Sequence, residues 1–332
     1  MDAAVRRAAA EAVGSEIRIV GPTARGESRS TFDAVVGDVE VVLKVLASGP
    51  GVVENQQRLI RVVRRLRARG YPAPEHLGVG TAGPVVVTAQ RRVPGDTLEP
   101  GPGRPVDAAV LASTVPAILA AVELQAGAGD LSQPPWPGPL LDTIRSGGDG
   151  YCLHSTMRER PDTSTILDRV IRIGSHHPQG GARTTDVVHF DLTPANVLHR
   201  DGQLTGIIDW TVPFDGAGQG DRGFDVATLL FYSYDNEATR GPLWDRAIAI
   251  SGPQWTAVYL AHLVLRQVEW TVRHRPGREE EQRFISISEQ VLADCEHDLP
   301  RRQAAEVRAG ELSADDIVGE VPVRERPDEA RG

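Results

Sequence analysis

The most chemically pointed stretch of this chain is Val187-Val188-His189-Phe190-Asp191-Leu192-Thr193-Pro194-Ala195-Asn196-Val197-Leu198. A hairpin over 199–203 and the run Leu204-Thr205-Gly206-Ile207-Ile208-Asp209-Trp210 follow it. Stripped to its polar members, the segment reads H-x-D, four residues, N, and then an aspartate with twelve residues between. Each group has a use in phosphoryl transfer, which needs in-line positioning, an acceptor for the hydroxyl proton and cations on the phosphate oxygens. Asp191 would accept the proton. Asn196 and Asp209 offer an amide and a carboxylate oxygen, the ligands that Mg²⁺ takes alongside water. His189, two residues before the base, would brace the loop by hydrogen bonds. Taken singly, either aspartate is an ordinary turn residue; in register with His189, Asn196 and Trp210 they form a pattern. An H-x-D metallohydrolase site is the competing reading of His189, but no second His/Asp cluster stands at ligand spacing to complete it.

The rest of the chain must position these groups. Its 332 residues, 40% hydrophobic and 24% charged, describe a globular protein long enough for two domains or one two-lobed unit. Two cysteines exclude a disulfide scaffold. No apolar run approaches the ~20 residues of a membrane span, and the N-terminus has no continuous signal-peptide core, so a cytoplasmic location is expected. A net charge of -9 argues against nucleic acid as a partner. That charge is unevenly spread: residues 1–92 hold 14 basic and 9 acidic groups, residues 93–332 hold 22 and 36. The positive part suits an anionic ligand and the negative part a cationic one. Of the 36 basic residues only Lys44 is a lysine. A compact ammonium kept amid arginines is notable, because the two cations are not interchangeable.

Short β-branched runs at 17–20, 32–36 and 39–46 predict strands, the last two joined by a tight turn at Gly37-Asp38. The two-residue strand period puts Val42 and Lys44 on one face and Val41, Leu43 and Val45 on the other. An amphipathic helix follows over 52–69, with Leu59, Val62, Val63 and Leu66 in one stripe and Gly70 as its stop. Strands at 77–80 and 84–90 complete a small antiparallel sheet with one helix. Beyond Val93 a helix is expected over 106–126, kinked near Pro116. The Gly/Pro-rich stretch 127–150 reads as a loop, and further helices are expected at about 163–174, 222–233, 253–272 and 280–296. The acid-rich tail 311–332 has little periodicity and is expected to be disordered. Asp235, Glu237 and Glu269 are candidate contacts for a cationic substrate.

The motif H189-x-D191-x-x-x-x-N196 followed by I207-I208-D209-W210 resembles the aminoglycoside phosphotransferases, antibiotic kinases with a protein-kinase-like fold. The resemblance covers residues 17–235. It implies an α+β, two-lobed fold with a nucleotide-binding lobe over 1–92 and a mainly helical catalytic and substrate lobe over 93–310. It also implies ATP or GTP and Mg²⁺ as cofactors. Lys44 in VVLKV is similar to the family's strand-three lysine on the nucleotide phosphates, and Glu54 is the candidate helix carboxylate to pair with it. Val93-Pro94-Gly95 resembles the segment after the family's hinge, which places backbone groups of Ala89, Gln90 and Arg91 opposite the purine. Ser28 and Ser30 would cap the β-phosphate from an irregular glycine loop. The stretch Gly220-Asp221-Arg222-Gly223-Phe224-Asp225-Val226-Ala227 resembles one that stabilises the metal-bearing loop. The chain departs from the family at Phe190, Thr193 and Ala195, where glycine, histidine and glycine are common.

The expected function is therefore a small-molecule kinase that phosphorylates a hydroxyl, with an antibiotic as the implied substrate and a cationic one favoured by the acidic part of the chain. The alternatives are a metabolic kinase acting on choline, homoserine or a sugar, and a catalytically dead nucleotide-binding module that regulates a partner. The complete set Lys44, Asp191, Asn196 and Asp209 argues against the last, since a binding module has no need of the base.

Overall fold

The computed structural model describes residues 3–23, 30–101, 104–129, 137–176, 181–210 and 218–315. It opens with a helix, α1 (Ala3–Val13), whose buried stripe is almost all alanine. Strands β1 (Arg18–Pro22), β2 (Thr31–Val36) and β3 (Val39–Ala47) follow, then α2 (Val52–Ala68), β4 (His76–Ala82) and β5 (Val85–Arg91). The five strands form one antiparallel sheet in the order β1-β2-β3-β5-β4. On β3 the alternation holds: Val41 and Leu43 are fully buried. They join Ala8, Ala9, Ala34, Val87 and Ala89 in a small core beneath α1. Lys44, one residue further along a pleated strand, points to the opposite face.

Nothing in the hydrophobic periodicity announced α1. Its alanines pack so closely on β4 that a side chain at Gly78 or Gly80 would overlap the carbonyls of Ala12 and Ala8. Small residues on both partners let a helix lie on a strand at backbone contact. The stripe of α2, Leu59, Val62, Val63 and Leu66, belongs instead to the large core of the second lobe.

That lobe begins with β6 (Asp96–Thr97) and α3 (Ala108–Glu123). Asp107 caps α3 by accepting from the amides of Ala109 (2.9 Å) and Val110 (3.0 Å). The segment 127–150, expected as a loop, contains α4 (Pro137–Ser146), which forms because Leu140, Thr143 and Ile144 bury one face. The short α5 (His154–Arg158) was also not anticipated. After α6 (Pro161–Ser175) come β7 (Asp186–Val187), a 3₁₀ turn (Pro194–Asn196), β8 (Val197–Arg200), β9 (Gln203–Ile207) and β10 (Gln219–Gly220). The β8–β9 hairpin turns on Asp201-Gly202, both left-handed (φ 52° and 75°), the arrangement that matches the twist of paired strands.

Three helices finish the lobe: α7 (Gly223–Tyr232), α8 (Glu237–His274) and α9 (Glu279–Asp315). Gly252 (φ 76°, ψ 162°) interrupts α8 ahead of Pro253, so the stretch expected at 253–272 is its second segment. α8 is apolar and long enough to resemble a membrane span, yet 67% of its most apolar window is buried within the protein. Core packing accounts for its character. Helix α9 runs on to Asp315, so the segment expected to be disordered from 311 begins as helix.

Candidate active site

The H-x-D loop leaves β7 and is tied down from below. Asp225, on the first turn of α7, accepts the amides of His189 (2.7 Å) and Phe190 (2.9 Å) and the side-chain amide of Gln125 (2.8 Å). Burial pushes the Asp225 carboxyl up to about 7. Among the described contacts Asp225 therefore holds the loop that carries Asp191, whereas the resemblance pointed to the loop that carries Asp209.

His189 is fully buried, and burial lowers its pKa from the ordinary histidine value. Its Nε2 lies 2.8 Å from the carbonyl of Ile208 and its Nδ1 3.3 Å from the amide of Asp191. These partners assign a neutral ring that donates from Nε2 and accepts at Nδ1. Both nitrogens being engaged, His189 braces the loop and is no metal ligand. Its ring packs 4.6 Å from that of Trp210, whose indole N–H donates to the carbonyl of Ile207 (3.2 Å). His189 thus joins the base loop to the strand end that delivers Asp209.

Asn196 closes the 3₁₀ turn. Its side-chain amide donates to the carbonyl (2.8 Å) and to Oδ2 (3.0 Å) of Asp191, and its own carbonyl accepts the amide of Ile208 (2.9 Å). Its Oδ1 has no partner among the described residues. Asp209, left-handed at φ 61° and 47% exposed, pairs with Lys44 across the sheet-to-lobe junction. The exposed Asp209 carboxylate beside an ammonium, and the amide oxygen of the buried Asn196, are ligand types that suit a hard divalent cation carrying phosphate oxygens.

The structure thus brings Lys44, Asp191, His189, Asn196 and Asp209 together. Glu54 is not among them: it is exposed on the first turn of α2, and the described ion pair of Lys44 goes to Asp209. The backbone of Ala89–Arg91 is consumed by the sheet. Ala89 is buried and registers between Leu43 and Gly78, Gln90 between Val42 and His76, and the Arg91 amide donates to the carbonyl of Glu75 (2.8 Å). Ser30 sits at the start of β2, its carbonyl accepting the amide of Val45 (2.8 Å) beside Lys44. Ser28 lies outside the described residues.

Two acidic candidates are already committed. Glu269 accepts the amide of Cys152 (3.1 Å) and pairs with Arg273, and Asp235 pairs with Arg283 (3.0 Å). The side chain that sequence reasoning missed is Arg266. It reaches Asp191 Oδ1 at 3.2 Å from the second segment of α8. The signal was available: between Pro253 and Thr271 it is the one lysine or arginine in an otherwise apolar helix.

One turn before Arg266, His262 is fully buried against Phe190 (ring centroids 6.3 Å) and Phe224 (5.9 Å). Neither of its ring nitrogens has a hydrogen-bond partner among the described residues. Burial, with Arg266 adding to it, lowers its pKa to about 3. A histidine depressed on folding contributes stability that is present above the unfolded value, near 6.5, and lost as pH falls toward 3. Denaturant titrations at pH 8 and pH 5 should therefore show a His262→Leu variant losing about 2 kcal/mol less than the wild type over that interval. Equal losses in the two proteins would mean the ring is solvated and not buried neutral.

A small antiparallel sheet lobe over a mainly helical lobe, with Asp191, Asn196 and Asp209 at their junction, defines a kinase-like phosphotransferase fold. Residues 20–260 match the phosphotransferase enzyme family, and the chain belongs to it. It is 26% identical over 225 residues to the hygromycin-B 4-O-kinase of Escherichia coli, a match spanning 62% of this chain and 60% of that relative. Among solved structures, choline kinase LicA from Streptococcus pneumoniae superposes with a TM-score of 0.53 at 14% identity, covering 84% of this chain and 94% of that one. The amicoumacin kinase hAmiN gives 0.50 at 11% identity, covering 83% and 88%. At these identities the two structures share the fold with this chain.

Proposed function

We propose that this protein transfers the γ-phosphoryl group of ATP or GTP to a hydroxyl of a small molecule, with an antibiotic as the acceptor, in the cytoplasm. The observation that carries this reading is the Lys44–Asp209 pair. It joins a sheet residue to the end of β9 at the point where Asn196 and Asp191 also converge. In the reaction the acceptor oxygen attacks the γ-phosphorus, the bond from that phosphorus to the β–γ bridging oxygen breaks with its electron pair leaving on the nucleoside diphosphate, and the hydroxyl proton passes to the Asp191 carboxylate. Asn196 and Asp209 would hold Mg²⁺, which neutralises charge on the phosphate oxygens. Lys44 would leave Asp209 for the phosphates, with Ser30 and Ser28 at their edge. The purine would meet backbone beyond Arg92, whose amide is still held by the carbonyl of Glu40 (3.0 Å). The lobe boundary near residue 92 then doubles as the wall of the nucleotide cleft.

An antibiotic acceptor is favoured by the relationship to the hygromycin-B kinase. A preference for cationic acceptors rests on the overall acidity of residues 93–332, now that Asp235 and Glu269 are engaged by arginines. The test is ADP or GDP release over a panel of hydroxylated antibiotics, hygromycin B included, with choline, homoserine and simple sugars alongside. Product mass is read for one added phosphoryl group. A phosphorylated antibiotic is the expected result. Phosphorylation confined to choline, homoserine or a sugar would move the protein to metabolism, and nucleotide binding with no transfer would leave a binding module.

A further inference from the structure

We propose that Arg266 is a positioning residue for the transfer, fixing the carboxylate of Asp191 by gripping it together with the preceding peptide. The inference rests on reading Asp191 as the base and adds a residue from a distant helix to the machinery. Arg266 donates from Nη2 to Asp191 Oδ1 (3.2 Å) and from Nη1 to the carbonyl of Phe190 (3.2 Å). Two donors of one planar, rigid fork thus bind two consecutive residues, which fixes an orientation as well as a distance. Asn196 takes the other oxygen, Oδ2, at 3.0 Å. The carboxylate is held from both sides and stays 39% exposed.

The surroundings are built for this grip. Arg266 is only 17% exposed, and an arginine so enclosed on an apolar helix is costly unless its partners repay its lost hydration. Its guanidinium carbon lies 5.7 Å from the centroid of the Phe190 ring, and the Tyr232 hydroxyl, which donates to Gln267 (2.6 Å), is close enough to interact with it. The Phe190 ring in turn stacks on Phe224 (5.0 Å, 14° between planes). Phe190 also has φ 72°, a left-handed backbone that is unfavourable for a bulky side chain. Asp225 holds both neighbouring amides and Arg266 holds the carbonyl. The ring thus sits in a strained backbone conformation where it seats the guanidinium. The loop from His189 to Leu198 carries no lysine or arginine of its own, so Arg266 is the cation that the described contacts give to the base.

The experiment compares Arg266→Met, Arg266→Lys, Asp191→Asn and the Arg266→Met/Asp191→Asn double variant. The measured quantity is steady-state ADP release from MgATP, with whichever panel acceptor is turned over and with water where none is. Arg266→Met should lower kcat by about tenfold to a hundredfold, the cost of a misplaced base, with the KM for ATP changed less than about threefold. Arg266→Lys should recover part of the loss, since it keeps the charge but cannot bridge both oxygens. The double variant should be no slower than Asp191→Asn, because a residue acting through the carboxylate has nothing left to position. Wild-type kcat in both Arg266 variants, or additive losses in the double variant, would overturn the inference while sparing Asp191 as base. Turnover undiminished in Asp191→Asn would overturn the base itself, and the inference with it. If Arg266→Met does not fold, Arg266→Lys decides alone: an unchanged kcat refutes the positioning role, and a several-fold fall at constant KM for ATP supports it.

Discussion

Asp191→Asn should lower kcat for phosphoryl transfer by about 10² to 10⁴-fold, the usual contribution of a positioned general base. The KM for the nucleotide should stay within a few-fold of wild type. The substitution keeps the shape of the side chain and one oxygen, so packing and the Asn196 contact can survive. What it removes is the site that takes the hydroxyl proton as the oxygen attacks. Lys44, Asn196 and Asp209, which are proposed to serve the nucleotide side of the reaction, are left intact, which is why binding and turnover should separate. Calorimetry with MgATP and initial-rate measurements on the same preparation make the comparison. A variant turning over at more than a tenth of the wild-type rate would show that the proton leaves by another route. Asp209→Asn offers the contrast, since it removes a carboxylate from the proposed metal site and from Lys44, and nucleotide binding should weaken along with turnover.

The site was legible in the sequence to the extent that it is local. His189, Asp191 and Asn196 lie within one loop and turn, and the hairpin of β8 and β9 fixes where Asp209 must return. Spacing alone therefore encodes their meeting. Lys44 could be placed on a face by the strand period, because a strand that buries Leu43 must present its neighbour to the other side. Contacts made through tertiary packing were not legible. Arg266 stands 75 residues from Asp191, and no periodicity reports where α8 will cross the base loop. The expected partnership of Lys44 with Glu54 failed for a related reason: a helix period gives the face of α2 but not its distance from β3. Helix α1 escaped notice because alanine is only weakly apolar, so its stripe has little contrast, and what holds it is the bare backbone at Gly78 and Gly80.

The second large effect belongs to Asp225, which is fully buried beneath the loop. Asp225→Ala should destabilise the protein by about 3 kcal/mol or more, because it strands three donors, two backbone amides and the Gln125 side chain, in a buried site. Each such orphan costs about 1–3 kcal/mol. The loss has a signature in pH. Burial raises the folded-state pKa of Asp225 to about 7, well above the unfolded value near 3.9. The native state thus binds the proton more tightly, and the resulting stability is fully present at low pH and is lost as pH rises through 7. The gap between wild type and Asp225→Ala should accordingly widen by about 2.6 kcal/mol on going from pH 8 to pH 5, the opposite trend to that set by His262. Denaturant melts of both proteins at the two pH values give the number directly. A gap that stays constant would mean an ordinary carboxyl that burial has not raised, and one that narrows toward acid would mean a carboxyl held ionised by its three donors. Activity should fall as well, for a reason internal to the loop. Without Asp225 the amides of His189 and Phe190 lose their anchor, Phe190 can relax from its left-handed conformation, and its carbonyl swings away from Arg266. Asp191, the next residue, is then released from its orientation. A carboxylate buried beneath the loop thereby sets the aim of the one exposed above it.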